Sequence, residues 1–141
     1  MEKSDNNARM EQLLAEGKQV KLTPQGDSML PFIRGEVDSV VLRKPERLRV
    51  GDIALASYRG RYILHRIIRI EGDKIVMMGD GVVKAKEKVD RSAIIATVTD
   101  IITANGQHHR PTRGCLWRLL LPVRGYLLKG MRKCNKLFGV R

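Results

Sequence analysis

The chain has 141 residues, 43% hydrophobic and 30% charged, enough for one domain with a real core and too apolar for a disordered chain. Aromatic residues are only 4%, which argues against a stacking platform for single-stranded nucleic acid. The net charge of +12 is unevenly placed: residues 1–100 hold 18 Lys and Arg and all 15 acidic residues, whereas residues 101–141 hold nine basic residues and no acid. Any polyanion contact therefore belongs to the tail.

Cys115 and Cys134 lack a metal-type spacing, so neither a disulfide framework nor a metal site is expected, and no cofactor is implied. Met1 to Gln19 is polar and mixed in charge, unlike a secretory signal. The longest uncharged apolar run in the tail, Leu119–Val123, falls far short of the ~20 residues of a membrane-spanning helix. The expected location is cytoplasmic or peripheral on a membrane.

In chain order, the first predicted element is a short helix over Asn6 to Glu16, with Met10, Leu13 and Leu14 on one face and Gly17 as its stop. Val20-Lys21-Leu22 alternates as a brief strand before Pro24. Next comes Gly26-Asp27-Ser28-Met29-Leu30-Pro31. Here a hydroxyl lies between a glycine, free in its backbone angles, and a proline that fixes its own φ and keeps Leu30 extended. Such a bend suits a nucleophile and equally an ordinary loop.

Asp38–Leu42 and Ile53–Ser57 read as strands, with Gly51-Asp52 turning into the second. Tyr58-Arg59-Gly60 then turns the chain and Arg61–Ile70 returns as a hairpin partner. Gly72-Asp73 leads into Lys74–Met78, Gly79-Asp80-Gly81 breaks that strand, and Ser92–Ile102 forms the last one. Short strands, tight turns and one early helix predict a mainly β fold, an antiparallel coiled sheet or open barrel.

The expected organisation is a helix over 1–17, a β-rich domain over 18–104, a linker over 105–114 and a basic amphipathic tail over 115–141. His108 and His109 fall in the linker with no acidic or thiol partner at ligand spacing, as solvated loop residues do. In the tail, Leu116, Leu119, Leu120, Val123, Leu127, Met131, Cys134 and Phe138 follow a 3.6-residue period. Arg118, Lys129, Arg132, Lys133 and Lys136 take the other side, with Trp117 and Tyr126 flanking and Pro122 as a break. This pattern fits a helix lying on an anionic membrane surface, and it equally fits one packed on the sheet.

Four features occur in a fixed order: Ser28 in its bend, Gly51-Asp52 opening a strand, His65-Arg66 within a strand, and Gly79-Asp80 at a strand end. A serine hydroxyl needs a neighbouring base, and a base works best when a third group fixes its tautomer. An imidazole has its ordinary pKa near neutrality, where a general base operates, and His65 is the sole histidine of the sheet region. Asp80, between two glycines, is free to approach it. Read alone, His65 equally suits a satisfied core position, and Asp80 a turn.

The series Ser28-Met29-Leu30-Pro31, Gly51-Asp52-Ile53, His65-Arg66-Ile67 and Gly79-Asp80-Gly81 resembles the boxes of type I signal peptidases, over roughly residues 18 to 102. These serine endopeptidases share a β-rich catalytic fold with LexA-type self-cleaving repressors. His65 at the base position is similar to the branch that uses histidine rather than lysine. The resemblance implies Ser28 as nucleophile and oxyanion donor through its amide, His65 as general base and Asp80 as the orienting carboxylate. Asp73 is the substitute for Asp80, and Lys74 an alternative base. Met29 and Pro31, flanking the nucleophile, are then the residues to touch substrate. The implied substrate is an extended leader or signal-like peptide, cut after small residues and bound by strand addition. Two other classes stay open: a non-catalytic peptide-binding module of the same fold, and a polyanion binder acting through the tail.

Overall fold

The structure, a computed structural model, describes residues 2–82, 84–120 and 124–137, without the side chains of 2, 3, 116, 124 and 132–137. Helix α1 (Glu2–Ala15) leads into eight strands: β1 (Val20–Leu22), β2 (Ser39–Arg43), β3 (Ile53–Tyr58), β4 (Arg61–Glu71), β5 (Lys74–Met78), β6 (Glu87–Asp90), β7 (Ile94–Ile102) and β8 (His108–His109). Two helices, α2 (Cys115–Leu119) and α3 (Arg124–Leu137), complete it.

Helix α1 stops where Gly17 takes φ +82°, a left-handed angle open to glycine, while Lys18 N–H donates to Leu13 O at 3.0 Å. Leu14, fully buried, and Met10 anchor it on the core. The hairpin turn between β3 and β4 puts Arg59 and Gly60 at φ 49° and 77°, the two left-handed residues of a tight turn matched to strand twist.

The sheet is wholly antiparallel, in the order β1-β2-β7-β3-β4-β5-β6 with β8 on β7. The mainly β, antiparallel fold expected from sequence is the fold found, as a strongly curled half-barrel. Register shifts at Val41/Leu42, Leu55/Ala56 and Ile67/Arg69 mark where strands bend. Alternation along β3 divides the apolar side chains between two clusters. Ile53 and Leu55 join Leu14, Met29, Leu42 and Val98, whereas Ala54 and Ala56 join Ile63, Ile67, Ile75 and Met77.

Three elements differ from the expectation. Strand β6 was not foreseen, because Glu87-Lys88-Val89-Asp90 offers a single apolar residue to signal a strand. His108 and His109 are not loop residues: they pair with Ile102 and Ile101, their side chains exposed. In the tail the difference lies in which face is buried: it forms two helices, while Pro122, the expected break between them, lies outside the described residues, as do the side chains of Leu116, Val123, Cys134 and Phe138. Among the described tail residues the buried hydrophobic side chains are Trp117 and Leu128, not Leu119 and Leu127, because one period drawn across both helices does not hold when the helix is interrupted. No described helix is long and apolar enough to cross a membrane.

Candidate active site

Strand β4 positions the site. It pairs with β3 over Arg61–Arg66 and with β5 only from Arg66 onward, so among the described residues 61–65 have one unpaired edge. A groove is lined by Tyr62, Ile63, Leu64 and His65 of this stretch and by Thr23 to Gly26. Ser28, Met29 and Glu87 also line it, and α1 overhangs it through Asn7, Ala8 and Glu11.

The serine bend is held in place by glycines. Gly81 N–H donates to Ser28 O at 2.7 Å, and Asp80 N–H approaches Met29 Sδ at 3.5 Å. A Cβ on Gly79 would lie 2.4 Å from Ser28 O and 3.2 Å from His65 Cδ2, and one on Gly81 would lie 2.2 Å from Asp27 O. No side chain fits at either position. The Gly79-Asp80-Gly81 segment is thus the surface on which the Ser28 backbone rests, and the His65 ring edge closes on that same glycine. Continuing the β4–β5 register one step past Arg66↔Met78 sets Gly79 opposite His65. The missing side chain lets the Ser28 carbonyl and the His65 ring edge both lie against this glycine.

His65 is buried, and its Nδ1 lies 2.9 Å from Glu87 Oε2. A carboxylate only accepts, so Nδ1 carries the proton and donates it to Glu87. That tautomer leaves Nε2 with a lone pair, next to the Cδ2 that faces Gly79. Ser28 Oγ and His65 line the same groove, and no direct hydrogen bond joins them in this structure.

The structure does not bring Asp80 to His65. Successive strand residues point to opposite faces, so Arg66 points away from His65 and takes Asp80 with it, and neither Arg66 nor Asp80 lines the groove. Arg66 Nε donates to Asp80 Oδ1 at 2.8 Å and Nη2 to Oδ2 at 2.7 Å, while Nη1 reaches Gly51 O at 2.8 Å and Thr112 O at 2.7 Å. The guanidinium also lies 5.1 Å from the Phe32 ring centroid, and its residue is fully buried. The carboxylate on His65 is Glu87, which sequence reasoning missed.

Asp73 and Lys74 sit at the far end of β5, exposed, where Lys74 pairs with Asp90 and Asp73 O accepts from Arg91 N–H. Neither reaches the groove. Asp52 of the second box closes a turn, accepting from Arg49 N–H at 2.8 Å and Arg113 Nη1 at 2.9 Å. Met29 lines the groove and is buried in the core; Pro31 does not line it. No group of ligating side chains able to hold a metal occurs among the described residues.

At the overhang, Tyr62 Oη donates to Glu11. Burial first, then the Glu11 hydrogen bond and charge, push the Tyr62 phenol up from 10.0 to about 12. On the tail, Lys129 is exposed and Arg118 half-buried; the side chains of Arg132, Lys133 and Lys136 lie outside the described residues. No family model matches the chain, and no curated protein matches it.

Proposed function

We propose that this chain is a serine endopeptidase resembling signal peptidase I, with Ser28 as nucleophile, His65 as general base and Glu87 as the carboxylate that orients the base. The observation that carries it is the convergence of Ser28 and a Glu87-bound His65 on one groove, beside an unpaired stretch of β4. An extended peptide added to the edge at 61–65 gains backbone hydrogen bonds whatever its sequence.

With a peptide in place, Ser28 Oγ attacks the scissile carbonyl carbon as His65 Nε2 takes its proton. The resulting imidazolium is stabilised by Glu87 across Nδ1. Among the described residues no acceptor takes the Ser28 amide, so that N–H is available to the oxyanion. His65 then protonates the leaving amine and the C–N bond breaks. Water, deprotonated by His65, attacks the acyl-serine and releases the acid. The Ser28–His65 contact tightens only when substrate is bound, as catalytic hydrogen bonds commonly do.

Ser28→Ala is expected to abolish cleavage of a leader-type peptide while leaving the melting transition within a few degrees of the parent, and His65→Gln, whose amide N–H still donates to Glu87, is expected to abolish it as well. Cleavage at the parental rate by either variant overturns the proposal. A second reading, a peptide-binding module without catalysis, draws on the missing direct bond between Ser28 Oγ and His65. A serine-directed covalent probe separates the two: it labels Ser28 in the peptidase and leaves the module unmodified.

A further inference from the structure

The tail has two apolar sides, and the fold uses only one. Trp117 and Leu128 are buried against Leu30, with Leu120 and Met131 beside them. Trp117 Nε1 donates to Asp80 O at 2.9 Å, and its ring meets Phe32 edge-on with centroids 6.2 Å apart. This contact fixes the tail on the back of the Ser28 segment.

Among the described residues nothing covers the other side. Among the described residues four large hydrophobic side chains stand exposed, and three are here: Leu119 at 78%, Tyr126 at 79% and Leu127 at 43%. A helix meant for water alone carries polar residues on that side. Around these three the sequence places bases only: Arg118, Arg124, Lys129, Arg132 and Lys133, with no acidic residue after Asp100.

We infer that this face docks on an anionic lipid bilayer, with Leu119, Tyr126 and Leu127 entering the headgroup boundary and the surrounding bases meeting lipid phosphates. The charge favours an anionic partner. The leucines decide between the two polyanions that remain. Nucleic acid rewards bases and stacking rings, and gives exposed leucines nothing; a bilayer takes both. The proposal is independent of catalysis, since it concerns a face other than the groove. It also has a geometric consequence: a tail held on lipid keeps the Ser28 segment, a few side chains away, at the membrane surface.

The test is sedimentation of the full chain with vesicles of equal parts phosphatidylglycerol and phosphatidylcholine, against vesicles of phosphatidylcholine alone. Binding to the anionic vesicles is expected. Replacing the three exposed side chains together (Leu119→Ser, Tyr126→Ser, Leu127→Ser) is expected to weaken it by roughly 100-fold, because their burial in the interface is lost. Lys129→Glu weakens it by a smaller factor that vanishes at high salt. All four positions are at the surface, so an unchanged melting curve and Trp117 emission verify the fold. Failure to sediment with anionic vesicles, or sedimentation of the triple variant equal to the parent, overturns the inference. Binding of duplex DNA that survives the triple substitution, with no vesicle binding, assigns the tail to nucleic acid instead.

Discussion

His65 and Arg66 are neighbours on one strand, each buried and each paired with a carboxylate, yet they do opposite things. Arg66 points inward and spends at least four of its five N–H groups on Asp80, Gly51 O and Thr112 O. His65 points to the groove, binds Glu87 through one nitrogen and keeps the other open toward Gly79. A saturated pair holds a fold together. An unsaturated one has a lone pair left for chemistry. The contrast teaches that burial plus an ion pair does not single out a candidate catalytic residue; the leftover hydrogen-bonding capacity is what sets His65 apart.

The largest effect should come from breaking the saturated pair. Arg66→Ala strands a buried carboxylate and two backbone carbonyls, so a loss of about 3–5 kcal/mol is expected in chemical denaturation. Asp80→Asn should act in the same direction. A variant at Asp80 that kept its stability but lost cleavage would exchange the roles of the two pairs.

Smaller, and sharper, is Glu87→Gln. The amide oxygen still accepts from Nδ1, so the fold persists, but the charge that stabilises the imidazolium is gone. The expected result is a fall in kcat of about 10²-fold with KM little changed. Equal losses of activity for Glu87→Gln and Asp80→Asn at equal stability would erase the distinction between the faces.

The mildest test lies at the groove mouth. Because folding raises the Tyr62 phenol from 10.0 to about 12, its contribution to stability is complete below pH 10 and is lost as pH rises through 12. Spectrophotometric titration of the tyrosinate band checks this. In Glu11→Gln the ionisation should move down only part of the way, since burial is the larger cause and remains.

Much of the sheet was legible in the sequence because turn residues punctuate it: Lys74–Met78 is bounded by Gly72-Asp73 and Gly79, and β4 by Gly60. The helix stop at Gly17 was legible for the same reason. The orienting carboxylate was not. Asp80 was assigned to His65 from the order of short boxes, which is blind to which face each residue takes. Strand alternation held the correction: Arg66 must point opposite His65, and a buried arginine needs a carboxylate of its own, which reserves Asp80. Glu87 stayed hidden because its strand has only Val89 to announce it. In the tail, the 3.6-residue period found a helix but not the face it buries, since the chain has apolar residues on both sides of α3.

The central strand β7 is the last long one to be synthesised, and it alone bridges β2 to β3. Ser28 belongs to the hairpin-like portion that precedes it, β1 with β2, while His65 and Glu87 belong to the meander β3 to β6. Until Ile94–Ile102 has left the ribosome, these portions share no common ladder, and Ser28 is tied to the meander only through the Gly79-Asp80-Gly81 segment. On the proposed peptidase reading, a nascent fragment that stops short of β7 is inert, and reactivity waits on the strand that joins the two portions.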